Sequence, residues 1–193
     1  RCNMNLGLGG KSALVTGGTH GIGLAIALAL AEEGANVIIA SRTRQRLVRA
    51  VGSFRGRTGK CLAMDFDALD PVQVECLASR ALEVNPVDIL VNNVGGGGRW
   101  GDALHPFDTP LEVWDQVYQK NARTAIQLTR LLVPKMVERS WGRVVTISSI
   151  HGREMGSNPW FMMAKSAEIA MMKGLAPGLA QYNVTCNTVA PGY

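Results

Sequence analysis

The chain has 193 residues and a formal net charge of +5, with 47% of its residues hydrophobic and 18% charged. A chain of that size and balance buries a sizeable core in one domain, 1–193, and is excluded from the disordered class. Its scattered arginines form no stripe with interleaved aromatics, no apolar run reaches membrane length, and Cys2, Cys61, Cys76 and Cys186 lie too far apart for a disulfide framework or a structural metal. Neither nucleic acid nor membrane is an expected partner, and the reduced cytoplasm is the expected compartment.

In chain order, Ser12-Ala13-Leu14-Val15 reads as a buried strand and the Ala/Leu-rich stretch over 24–31 as a helix. Between them lies Thr16-Gly17-Gly18-Thr19-His20-Gly21-Ile22-Gly23. Backbone N–H groups at a helix N-terminus hold a pyrophosphate only where no side chain blocks the approach, and the helix dipole favours the negative charge. Gly17 permits the tight turn out of the strand, Gly21 the close approach to phosphate, and Gly23 the packing of helix against sheet. Thr19, His20 and Ile22 complete the cradle. No Lys follows the glycines, which argues against phosphoryl transfer. A mobile loop without a ligand is the alternative reading.

After the stop Glu33-Gly34-Ala35, the run Asn36-Val37-Ile38-Ile39-Ala40 reads as a second buried strand, and Ser41-Arg42 follows it. In a dinucleotide fold this strand end meets the adenosine ribose, where a carboxylate takes the 2′-hydroxyl and an Arg takes a 2′-phosphate. No carboxylate occurs over 41–49. The guanidinium fork of Arg42 matches phosphate, so NADP is expected rather than NAD, with His20 as a second polar contact. Arg44, Arg46 and Arg49 read equally as part of this phosphate-facing cluster or as the solvated face of a helix.

Cys61-Leu62-Ala63-Met64 is a third strand ending at Asp65-Phe66, where Asp65 is either a turn acid or an adenine-side ligand. Asp70-Pro71-Val72-Gln73 opens a helix with an N-cap, Pro at the first position and a Gln placed for a capping box. The fourth strand, 87–91, runs into Asn92-Asn93-Val94 and four glycines over 95–98. Thr109-Pro110-Leu111-Glu112 is a second capping-box pattern, predicting one helix from there through Asn121 to Met136. An Asn in mid-helix is ordinarily exposed. The fifth strand, Gly142-Arg143-Val144-Val145-Thr146-Ile147, ends in Ser148-Ser149-Ile150-His151-Gly152. Asn158-Pro159 then starts a helix on which Phe161 and Lys165, four apart, share a face. Pro177-Gly178 should kink or end that helix. Strands alternating with helices imply an α/β fold with a parallel sheet and crossover helices.

These motifs, in this order, resemble the short-chain dehydrogenase/reductase family over nearly the whole chain. The resemblance implies a Rossmann-type, doubly wound parallel sheet in three layers, α/β/α, and hydride transfer between a nicotinamide and a carbonyl or secondary alcohol of a small molecule. Asn121 would hold a water of the proton relay, Ser149 would bond the substrate oxygen, and Lys165 would bind the nicotinamide ribose. Asn93 and Gly95 would line the adenosine side, and Pro191 and Gly192 the nicotinamide carboxamide. Ser148 is the near alternative to Ser149. A homodimer or homotetramer packed through the helices bearing Asn121 and Lys165 is implied too, and no metal.

The chain departs from the family at Phe161, which stands where the family places its catalytic Tyr. Phe has no proton to give, and general acid catalysis is worth about a hundred- to ten-thousandfold in rate. Three accounts stand side by side: a substitution introduced to trap a complex, another donor such as His151 or Tyr193, or a protein that binds the dinucleotide without turnover as a sensor or scaffold. The chain also stops at Pro191-Gly192-Tyr193, where the family continues through a substrate-covering segment, so substrate identity is not legible.

Overall fold

Residues 6–97 and 106–192 are described by the structure, a computed structural model. Tyr193, Gly98 and Cys2 lie outside them. Six strands form one parallel sheet: β1 (Ser12–Thr16), β2 (Asn36–Ser41), β3 (Cys61–Asp65), β4 (Ile89–Asn92), β5 (Gly142–Ile147) and β6 (Val184–Val189), in the order β3-β2-β1-β4-β5-β6. The chain builds outward from β1 to β3, then crosses back and builds the other way from β4. That reversal leaves a crevice between the carboxyl ends of β1 and β4, the place where open α/β sheets take ligands.

The apolar runs explain the layering. β1 is buried at all five positions, as a central parallel strand covered on both faces must be. Its residues divide by the period of two: Ala13 and Val15 join Val37, Ile39 and Val91 on one face, while Leu14 joins Ile38, Leu90 and Val144 on the other. Helices α1 (Gly21–Glu32) and α2 (Arg44–Gly52) cover the first face through Ala27, Ala31, Leu47 and Ala50. The second face carries α3 (Pro71–Val84), α5 (Thr124–Glu138) and α6 (Pro159–Ala180), through Leu77, Leu128, Leu132 and Met172. A three-layer, doubly wound α/β fold results, as the sequence implies.

Three expectations are corrected. The helix read from Leu111 to Met136 is broken: α4 (Leu111–Tyr118) passes into a π-turn, Gln119–Arg123, before α5 resumes. Asn121 lies within that π-turn and is fully buried rather than exposed. Pro177 does not end α6, which runs on to Ala180. The Lys173 carbonyl, which Pro177 leaves without an N–H partner, belongs to an exposed residue in the helix's last turns. The sixth strand went unread because its alternation, Val184 and Cys186 inward with Thr185 and Asn187 outward, is only two periods long. At α3 the capping pattern holds in altered form: the Asp70 carboxylate accepts from the Val72 and Gln73 amides, but the Gln73 side chain reaches back to the amide of Asp67.

Candidate active site

The end of β1 is latched to the end of β4. The Thr16 hydroxyl donates to the Val91 carbonyl at 3.2 Å and accepts from the amides of Asn93 and Val94 at 3.0 and 3.1 Å. Asn93 in turn donates its side-chain amide to the carbonyls of Thr16 and Gly17. Asn93 therefore shapes the glycine loop from behind. Gly17 makes the turn out of β1 with φ +66°, and Gly23 must lack a side chain because a Cβ there would collide with the Gly17 carbonyl. Gly23 packs on the loop itself rather than on the sheet. Gly21, with φ +52°, leaves open space where a Cβ would stand. His20 occupies the N-cap position of α1 without a side-chain cap bond, and Ile22 is half exposed at the rim. The first amides of α1 thus face an opening free of side chains, which suits a phosphate group.

From this loop a cleft of about 240 Å³ runs past the ends of β2 and β3, lined by His20, Ser41, Arg42, Phe66, Gly95 and Lys120. The Thr19 hydroxyl lies 3.3 Å from both Ser41 Oγ and His20 Nδ1, which ties the loop to β2. Arg42 projects into solvent with its guanidinium 3.7 Å from the Asp67 carboxylate, an exposed pair that contributes little and leaves the guanidinium available. Arg46 also lines the cleft. Burial, reinforced by the charge of Arg42, holds the Lys120 ammonium below its ordinary range. Asp65 stands apart from this lining, its carboxylate exposed and 3.6 Å from Arg80.

The third part of the site gathers at the end of β5. Trp160, fully buried, docks the start of α6 on α4 by an edge contact with Trp114, their centroids 5.6 Å apart. That fixes Phe161 and Lys165. The Lys165 ammonium is buried, donates to the Ile147 carbonyl at 3.0 Å and pairs with Glu168 at 3.0 Å, and lies 5.7 Å from the centre of the Phe161 ring. Asn121 clasps the backbone of Gly96, accepting from its amide at 2.9 Å and donating to its carbonyl at 3.0 Å. A Cβ at Gly95 would collide with Asn121 Oδ1 and lie 3.2 Å from Lys165 Nζ, so these three residues meet. Ser148 points inward and donates to the Lys165 carbonyl at 2.8 Å, whereas Ser149 is half-buried and accepts from the His151 amide at 3.2 Å. Of the two candidates, Ser148 is the one whose hydroxyl is committed to the α6 backbone. The Pro191 carbonyl accepts from the Ile150 amide at 2.9 Å, bringing Pro191 and Gly192 alongside.

Glu168 was missed by sequence reasoning. Its spacing of three from Lys165 was a legible sign of a helical pair. Burial pushes its carboxyl up to about 7, against a smaller downward pull from Lys165. Among the described residues no group of three or more His, Cys, Asp or Glu could hold a metal ion, and no helix is long and apolar enough to cross a membrane.

Comparison with known proteins gives consistent results. The family model described as short chain dehydrogenase matches residues 11–193. Ketoacyl reductase HetN of Nostoc sp. strain PCC 7120 is 33% identical over 188 residues, covering 96% of this chain and 64% of that protein. The chain thus spans just under two thirds of that relative's length. Among solved structures, L-sorbose reductase of Gluconobacter frateurii, complexed with NADPH and L-sorbose, superposes with a TM-score of 0.90 at 30% identity, covering 98% of this chain and 72% of that one. A 7 alpha-hydroxysteroid dehydrogenase complexed with NADH and 7-oxo glycochenodeoxycholic acid superposes with a TM-score of 0.89 at 31% identity, covering 97% and 72%.

Proposed function

Because the chain belongs to the short-chain dehydrogenase family, we propose that it binds NADP(H) along the crevice between β1 and β4 and interconverts a small-molecule carbonyl and its secondary alcohol. The observation that carries this reading is the opening at the start of α1, where Gly21 leaves space that a Cβ would fill and no side chain caps the helix. When bound, the dinucleotide exchanges a hydride at its nicotinamide ring.

The chain's own residues would do the rest. The α1 amides, with Gly17, Thr19 and Gly23 shaping the turn, would hold the pyrophosphate. Ser41, Phe66 and Gly95 would enclose the adenosine, with Asn93 holding the loop and Asp65 beyond the rim. Arg42, backed by Arg46 and Lys120, favours the 2′-phosphate: the cleft sets these cations, with His20, against the single carboxylate of Asp67. Lys165 gives its N–H groups to the Ile147 carbonyl and to both oxygens of Glu168, and would turn one of the two on Glu168 to the nicotinamide ribose. Ser149 would donate to the substrate oxygen, Asn121 would order a relay water through the Gly96 backbone, and Pro191 and Gly192 would flank the carboxamide. Phe161 keeps the ring but supplies no proton, so turnover falls well below that of a Tyr-bearing site.

Free Cys61, Cys76 and Cys186 are in keeping with a cytoplasmic home. Self-association through α5 and α6 completes the reading; light scattering that returned a monomer at micromolar concentration would remove that element. The central test is calorimetric titration with NADPH, NADP⁺ and NADH. Saturable binding, tighter for the phosphorylated forms, is expected, and no binding of any form would overturn the reading. Tight binding with no ketone reduced, even after Phe161→Tyr, would favour the sensor alternative.

A further inference from the structure

Lys165 and Glu168 form a charged pair sealed from water, with side chains 6% and 2% exposed. Both carboxylate oxygens lie within 3.2 Å of the ammonium. Such a pair is costly to bury, and it stabilises little that an apolar pair would not. It stands, moreover, at the one place where the chain lacks the family's Tyr. An unpaired Lys⁺ would stabilise a tyrosinate; beside Phe161 no tyrosinate exists, and Glu168 offsets the charge instead.

Resting on the dinucleotide reading above, we propose that Glu168 is a positioning residue that holds the Lys165 ammonium beneath the nicotinamide and, by gaining or losing its proton, sets the site's preference between oxidised and reduced cofactor. The oxidised ring carries a positive charge that the reduced ring lacks. With Glu168 ionised the pair is neutral and tolerates that charge. With Glu168 protonated the pair is a net cation and repels it. The upward push of burial on this carboxyl puts the change near neutral pH.

Other groups around the pair act differently. Lys120, in the π-turn, is a positive charge coupled to that of Lys165. β6 brings only Cys186, whose thiol burial pushes upward. His151 is the titratable group in the short 3-10 turn, Ile150–Gly152, that packs on α6, and its protonation would also disfavour the oxidised ring. Variants must therefore assign the effect. The 2′-phosphate ionises alike in both cofactor forms and cancels in their ratio.

The experiment measures the dissociation constants of NADP⁺ and NADPH from pH 6 to pH 8. Expected is a fall of about three- to tenfold in the ratio Kd(NADP⁺)/Kd(NADPH) as pH rises, since removing one positive charge nearby favours the oxidised form. In Glu168→Gln the ratio should stay at its acid value throughout, and in His151→Gln the slope should persist. A flat ratio in the parent protein, an unchanged slope in Glu168→Gln, or loss of the slope in His151→Gln overturns the inference while leaving cofactor binding intact. Should Glu168→Gln fail to fold, the infrared band of a protonated carboxyl in the parent protein, disappearing near neutral pH, supports the assignment, and its absence at pH 6 overturns it. Failure of both cofactor forms to bind at all overturns the dinucleotide reading and this inference with it.

Discussion

The two halves of the crevice are built from different materials. The half at β1 and β2 is made of backbone: glycines, amides at a helix start, and exposed cations whose ion pairs are loose. The half at β5 and α6 is made of buried side chains, with Lys165, Glu168, Asn121 and Ser148 each tied to a partner within hydrogen-bond distance. A backbone cradle tolerates change at its rim and none at its contact points. A buried side-chain network can be rewired by one compensating residue, and Glu168, paired with the Lys165 that lies 5.7 Å from the centre of the Phe161 ring, has that character.

The largest effect that would sharpen this contrast is expected at Phe161. Phe161→Tyr should raise the rate of ketone reduction at saturating NADPH by about a hundred- to ten-thousandfold while leaving cofactor affinity unchanged. Stopped-flow rates that do not move would show that the side-chain half no longer supports proton transfer. In the backbone half, Gly23→Ala forces a Cβ into the Gly17 carbonyl and should cost about 3 kcal/mol of stability, with loss of cofactor binding. Urea denaturation and titration read both. Normal binding by a stable Gly23→Ala protein would break the comparison.

The buried pair gives a pH signature of its own. The folded protein holds the Glu168 proton up to about pH 7, whereas the usual carboxyl of the unfolded chain releases it near 4.5. Its stabilisation is therefore complete below about pH 4.5 and is lost as pH rises towards 7, about 3 kcal/mol in all. Denaturation curves from pH 5 to pH 8, compared with those of Glu168→Gln, should show this decline only in the parent protein. The smallest effect is at the rim: Arg42→Asp should shift selectivity from NADPH towards NADH by about tenfold, through lost phosphate affinity, without changing the melting temperature by more than about a degree. Unchanged selectivity would move the 2′-phosphate contact elsewhere.

The difference between the halves also governs what the sequence discloses. Glycines at a strand-to-helix junction are a local signal, so the loop Thr16 to Gly23 and the alternation of β1 to β5 could be read directly. Side-chain networks are assembled from distant segments. That Asn93 serves the loop, that Ser148 faces inward, or that Arg46 reaches the cleft depends on the register of helices against strands, which composition does not carry. The π-turn was illegible because one extra residue leaves an apolar pattern almost unchanged in a linear reading.

That extra residue has a geometric effect. In an uninterrupted helix Val113, Val117, Leu128 and Leu132 would fall on one stripe, and the widened turn rotates the later pair away by about 100°. Val117 consequently seats against Trp160 while Leu128 and Leu132 press on the sheet, so a single rod serves two separate packing groups. The turn's loosened carbonyls are taken up by side chains: Asn121 donates to Val117 at 2.7 Å and Thr124 to Gln119 at 2.8 Å. Deleting one residue between 119 and 123 would realign the rod, and one of its two seats would have to empty.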